Sequence, residues 1–146
     1  MIVYTIGFTQ KSARRFFELL EDHKVRKLLD IRLNPYGQLS GFSKKDDLAY
    51  FLERLSGIDY HHLVELAPTD DILHTYRKEK SWNTYVDRFE RLMDERSIPA
   101  SLDRALFEDG PVCLLCSEDK PDRCHRRLVA ERLAQSWDDV EIHHLI

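Results

Sequence analysis

Pro111-Val112-Cys113-Leu114-Leu115-Cys116-Ser117-Glu118 is the stretch on which the fold turns. Positions 112 to 116 are all apolar and stand between a proline and a polar pair. A strand with one face in water alternates apolar and polar residues. A run without alternation is buried on both faces, as parallel strands are when helices cover their sheet. Parallel neighbours need crossovers, and a helix is the usual crossover. Asp122 to Trp137 supplies one directly downstream, opening beside Pro121 and Asp122.

The same pattern repeats outward from this unit. Met1 to Gly7 reads as a buried strand stopped by a glycine, and Lys11 to His23 as a helix with Phe16, Phe17, Leu19 and Leu20 in its stripe. Val25 to Arg32 is a second strand. Leu33 to Ser43, with Asn34-Pro35, two glycines and two serines, is a loop. Lys44 to Ser56 is helical through Leu48, Phe51, Leu52 and Leu55, with Gly57 as its stop. Ile58 to Leu66 forms a third strand. Helices follow at Asp70 to Lys80, Trp82 to Arg96 and, more briefly, Pro99 to Phe107, and Glu141 to Ile146 makes the last strand. The expected fold is α/β: one domain over residues 1–146, three layers α/β/α, and a mostly parallel sheet of about five strands joined by right-handed crossovers.

Composition narrows the function. The chain has 146 residues, the size of one domain, and needs no disulfide to hold a core. An apolar fraction of 42% excludes a disordered chain. The formal charge is −4, which argues against a bulk basic nucleic-acid binder and leaves room for a local basic patch. Lys11 to Arg32 holds seven basic and four acidic residues, so nucleic acid is a partner the sequence permits but does not favour. No apolar run approaches the ~18 residues of a membrane span, so no membrane partner is expected. The opening Met1-Ile2-Val3-Tyr4 lacks a signal-peptide pattern. Three cysteines, an odd number, argue against a disulfide framework. Together these features point to the cytoplasm. Oligomeric state is not legible here.

In a parallel sheet, ligands bind beyond the carboxyl ends of the strands. Three such ends carry unusual chemistry: Thr5-Ile6-Gly7, Asp30-Ile31-Arg32, and Cys116-Ser117-Glu118 with its return at Cys124-His125-Arg126. Strand parity puts Cys116 and Glu118 on one face and Cys113 on the other, so Cys113 is read as a core thiol. Cys124 is expected in the first turn of a helix, where free N–H groups favour a thiolate or a bound anion. Arg126 and Arg32 could grip that anion, beside Thr5 and Gly7. His125 could exchange a proton. In a plainer reading, Asp30, Arg32, Glu118 and Arg126 form an ion-pair network that pins loops, and the cysteines are packed.

No metal site and no cofactor are assigned. Cys113-x-x-Cys116 lies in a strand-like run, so its thiols should diverge. Adjacent Cys124 and His125 should point about 100° apart on a helix. His61-His62 and His143-His144 face opposite ways for the same reason of parity. Lys11, Arg14 and Arg15 read as a solvated helix face more than a patch, and Trp82 and Tyr85 as core. Nucleotide-triphosphate, dinucleotide, zincin and α/β-hydrolase motifs are all absent.

Thr5-Ile6-Gly7, Asp30-Ile31-Arg32, Phe42, and Leu115-Cys116-Ser117-Glu118 with Cys124-His125-Arg126 resemble the family known as domain of unknown function 488. The likeness runs from the first strand to the last helix. It implies an α/β fold and brings no reaction with it. Members commonly continue Thr-Ile-Gly with His and Ser, where this chain has Phe8 and Thr9. They also tend to carry Leu-Gly-Gly after the third strand, where this chain has Leu66-Ala67-Pro68.

The leading expectation is an enzyme acting on a small anionic or nucleotide-like substrate, held by Arg32, Arg126 and the helix N-terminus. Cys116 or Cys124 would be the nucleophile and His125 the acid or base, with Asp30 or Glu118 orienting it or an arginine. The alternatives are a ligand-binding or regulatory module with structural cysteines, and a nucleic-acid accessory protein.

Overall fold

A computed structural model describes residues 1–36 and 41–146; the middle of the expected 33–43 loop lies outside the described residues. Five strands form one parallel sheet: β1 (Ile2–Gly7), β2 (Lys27–Asp30), β3 (Asp59–His62), β4 (Val112–Cys116) and β5 (Glu141–Leu145). Their spatial order is β3-β2-β4-β1-β5. β4 is hydrogen-bonded on both edges, with Leu115 beside Asp30 of β2 and Cys116 beside Gly7 of β1. Its unbroken burial follows from that central place.

The apolar run of β4 divides between two cores. Cys113 and Leu115 pack with Phe16, Phe17, Leu20, Leu48 and Leu52, from helices α1 (Ala13–Asp22) and α2 (Lys45–Phe51) with the turn after it. Val112 and Leu114 pack with Ile72 of α3 (Asp70–Glu79), Tyr85, Phe89 and Met93 of α4 (Trp82–Glu95), and Leu128, Val129 and Leu133 of α5 (His125–Ser136). Helices therefore cover both faces, as the lack of alternation required. Phe16 and Phe89 are fully buried, and truncating either to alanine should cost about 3–5 kcal/mol.

This topology locates a crevice. α1 and α2, which follow β1 and β2, lie on one face of the sheet. α5, which follows β4, lies on the other. The chain thus leaves β4 toward the opposite side from both of its neighbours. A parallel sheet opens at such a switch point, just beyond the strand ends.

Some elements differ from expectation, each for a local reason. Leu55, expected on the apolar face of the second helix, is 63% exposed. Residues Leu52–Ser56 form a π-turn, whose wider spacing rotates Leu55 away from the stripe that Leu48 and Leu52 keep. Gly57, at φ 63°, ends it. The third strand stops at His62 because its neighbour β2 ends at Asp30; Leu63 gives its N–H to the Asp30 carbonyl and the chain turns away. The expected helix over Pro99 to Phe107 shrinks to a 3-10 turn, Arg104–Phe107. The Asp103 carboxylate caps that turn at the Ala105 N–H (3.1 Å), and Asp109 and Gly110, both at positive φ, follow it closely. No helix among the described residues is long and apolar enough to cross a membrane.

Candidate active site at the end of the fourth strand

The crevice beyond β4 is a pocket of about 370 Å³, within the usual range for small ligands. Cys116, Ser117, Glu118, Arg123, Cys124 and His125 line one side, and Arg32, Leu33 and Asn34 another. The outer wall comes from α3 and α4 through Asp70, Leu73, Tyr76, Arg77 and Tyr85.

Cys116 is the last residue of β4 and points to the α4–α5 side, opposite Cys113. It is 6% exposed and lines the pocket. Its Sγ lies 3.4 Å from Nδ1 of His125. The other ring nitrogen of His125, Nε2, is 2.7 Å from the Ile31 carbonyl oxygen. A carbonyl can only accept, so Nε2 carries the proton and Nδ1 of the neutral ring presents its lone pair to Cys116.

The two pocket thiols are unlike. The Cys124 thiol, together with Arg126 and the N–H groups of Ser117 and Glu118, holds the Cys116 thiol below its ordinary range against the opposing effect of burial. Cys124 is pushed well above its ordinary value, because it donates to Cys116 and is itself buried. Burial also raises Cys113, which lies in the core and not in the pocket. Tyr85 is raised by burial and then by the two thiols it faces.

The loop between β4 and α5 is clamped. Fully buried Arg126 gives Nε to the Thr5 hydroxyl (3.3 Å), Nη1 to the Glu118 carbonyl and Nη2 to the Asp119 carbonyl (2.9 Å). Thr9 donates its hydroxyl to the Ser117 carbonyl (2.8 Å), and Lys11 pairs with Asp119 (2.6 Å). Gly7 permits the close approach: a Cβ there would sit 1.6 Å from the Glu118 carbonyl oxygen. Lys11 is therefore drawn into the loop and away from any free basic patch with Arg14 and Arg15.

Asp30 and Arg32 form a second fixed unit. Arg32 donates Nε (2.8 Å) and Nη2 (2.7 Å) to the two carboxylate oxygens of Asp30, and Nη2 again to the Ser43 carbonyl (2.7 Å). Tyr60 donates its hydroxyl to the same carboxylate, and its pKa is raised by burial and by Asp30. Burial opposes the charge on Arg32, but the contact with Asp30 outweighs it and holds the guanidinium above its ordinary pKa. Phe8 lays its ring 5.3 Å from the Arg32 guanidinium.

The structure thus brings Cys116, Cys124, His125 and Arg32 to one pocket and sets Thr5, Gly7, Asp30 and Arg126 behind its walls. Glu118 reaches the pocket rim as an exposed side chain, while its carbonyl serves Arg126. Of the two orienting roles expected for Asp30 or Glu118, Asp30 holds an arginine, Arg32, while His125 is oriented by the Ile31 carbonyl. Cys124 is not in the first helical turn. It is the N-cap, extended at φ −136° and ψ 140°, because the preceding residues make their own turn through Cys124 N–H to the Pro121 carbonyl. Cys124 and His125, expected to point about 100° apart, therefore converge. The sulfurs of Cys116 and Cys124 and a nitrogen of His125 all lie within 4.8 Å of one another.

Sequence reasoning missed Arg77, Arg123 and Tyr60. Asp70, Leu73 and Arg77 share one helical face, a spacing that could have drawn attention to α3. Arg123 precedes the Cys-His-Arg element directly. Nothing in the sequence announces the Ile31 carbonyl.

No curated protein and no solved structure matches the chain. The family model described as Domain of unknown function DUF488 matches residues 12–133, which span the ends of β2 and β4, the clamped loop and most of α5, and the chain belongs to that family.

Proposed function

We propose that the protein is a thiol-dependent enzyme acting on a small anionic substrate, with Cys116 as nucleophile and Nδ1 of His125 as its base. One observation carries this reading: Cys116 Sγ stands 3.4 Å from a ring nitrogen whose partner nitrogen is committed to the Ile31 carbonyl, on the wall of an accessible pocket. That is the nucleophile–base–orienting-group arrangement of covalent catalysis.

In the forward step, the sulfur attacks an electrophilic carbonyl carbon or phosphorus. An S–C or S–P bond forms, the bond to the leaving oxygen breaks, and that oxygen takes the proton held by His125. Water then cleaves the sulfur adduct, returning the acyl or phosphoryl group as an acid and the proton to the thiol–imidazole pair. Arg77 and Arg123 supply positive charge around the pocket, Asp30 neutralises Arg32, and Asp70 and Glu118 offset part of what remains. Tyr76, Tyr85, Leu33 and Leu73 favour a substrate with a flat or apolar part beside its anionic group, a description that a nucleotide fits. Arg126 acts as a positioning residue through the carbonyls of the loop.

Acid-quench trapping tests this. Small anionic acyl esters and nucleotide phosphoesters are mixed with the protein, quenched within the first turnover and read by intact mass. The expected result is a covalent adduct mapping to Cys116, absent from Cys116→Ser. Binding of these compounds with no adduct from any of them would leave a ligand-binding module instead.

A further inference from the structure

We infer that Cys116, Cys124 and His125 form a binding site for a soft divalent cation, with Zn²⁺ as the ion whose donor preferences they fit. The inference rests on the pocket of the preceding reading and adds its regulation, since an ion on Cys116 occupies the lone pair that the nucleophile uses.

Donor type comes first. Two thiolate sulfurs and one imidazole nitrogen are a set that selects zinc over magnesium or calcium, which prefer oxygen. Spacing comes second. An ion with Zn–S of about 2.3 Å and Zn–N of about 2.0–2.1 Å in tetrahedral geometry separates sulfur from nitrogen by roughly 3.5 Å. Cys116 Sγ and His125 Nδ1 are already 3.4 Å apart, and all three donor atoms lie within 4.8 Å of one another.

The outer shell fits a metal as well. Ligating histidines nearly always donate their second ring N–H to a carbonyl or carboxylate, which fixes the ring and its tautomer. His125 does so to the Ile31 carbonyl at 2.7 Å, leaving Nδ1 as the free donor. The extended backbone of Cys124 is what turns its sulfur toward the same point as its neighbour His125. Among the described residues, the cluster offers three donors and no fourth. All three line the pocket, so the fourth position faces it and remains open to water or to an anionic ligand.

Co²⁺ titration of the reduced, metal-free full chain is the test, followed by Zn²⁺ competition and alkylation of the same samples. One equivalent of Co²⁺ should produce thiolate charge-transfer absorption and the intense visible bands of a four-coordinate ion. Zn²⁺ should displace it and abolish iodoacetamide labelling of Cys116, and a chelator should restore the labelling. Cys124→Ser should weaken the charge-transfer absorption, and Cys113→Ala should leave it intact. A Co²⁺ spectrum without charge-transfer absorption, with Cys116 labelling unchanged by Zn²⁺, overturns the metal site and leaves the thiol reading standing. Tight metal binding by a protein whose metal-free Cys116 resists labelling supports the site and overturns the thiol reading instead. The wild-type labelling arm does not depend on any variant folding.

Discussion

Cys113 and Cys116 are three residues apart in one strand, and that odd spacing decides their chemistry. It turns Cys113 into the α1–α2 core and Cys116 toward His125. Parity along a strand is legible in a sequence, so this division could be read before any coordinates. The partner of His125 could not, because Ile31 contributes only its backbone carbonyl, and a backbone group leaves no residue-type signature. Arg126 shows the opposite limit. Its charge suggests an anion ligand, yet three of its nitrogens are committed to Thr5 and to two loop carbonyls. Gly7 gives the sharpest residue-scale prediction. Its missing Cβ is the space filled by the Glu118 carbonyl, 1.6 Å from where that atom would be. Gly7→Ala should push the β4–α5 loop outward and cost about 1–3 kcal/mol, as overpacking does. Urea unfolding measures it, and a midpoint equal to that of the wild type would show that the loop is not held as described.

Elements were legible where burial is periodic and obscure where hydrogen bonds decide. The parallel sheet and its covering helices follow from unalternated strands and striped helices. The start of α5, the π-turn at Leu52–Ser56 and the short reach of β3 each depend on a local backbone partner that periodicity does not encode. One tie between elements has a pH signature. The Thr5 hydroxyl of β1 accepts from Arg126 of α5 and lies 2.6 Å from Nδ1 of His144 in β5. A neutral ring can take the Thr5 proton at Nδ1, whereas a protonated ring sets a second positive charge beside the Arg126 guanidinium. Burial, and then the charge of Arg126, lower the pKa of His144. A histidine whose folded pKa is depressed contributes stability above its unfolded pKa, about 6.5, and loses it as the pH falls below that value. The urea midpoint should therefore drop more between pH 7.5 and about 5.5 in the wild type than in His144→Gln. Equal drops in the two proteins would contradict the tie.

At the scale of the whole molecule, the strand order β3-β2-β4-β1-β5 makes the site. Placing β4 between β2 and β1, and sending α5 to the face opposite α1 and α2, opens a crevice at Cys116. A net charge of −4 conceals the arginines Arg32, Arg77 and Arg123 that line this pocket. The central claim is that an activated thiol faces a pocket lined by Arg77 and Arg123. Its most direct measurement compares alkylation of the native, metal-free protein by neutral iodoacetamide and anionic iodoacetate across pH, with the modified cysteine identified by mass spectrometry. The account predicts labelling at Cys116 alone, persisting well below the ~8.5 of a free thiol. It also predicts that iodoacetate is favoured over iodoacetamide more than it is with free cysteine, and that Arg77→Ala with Arg123→Ala removes that preference. Three inert thiols, or a Cys116 that titrates near ~8.5 with no preference for the anion, would contradict it.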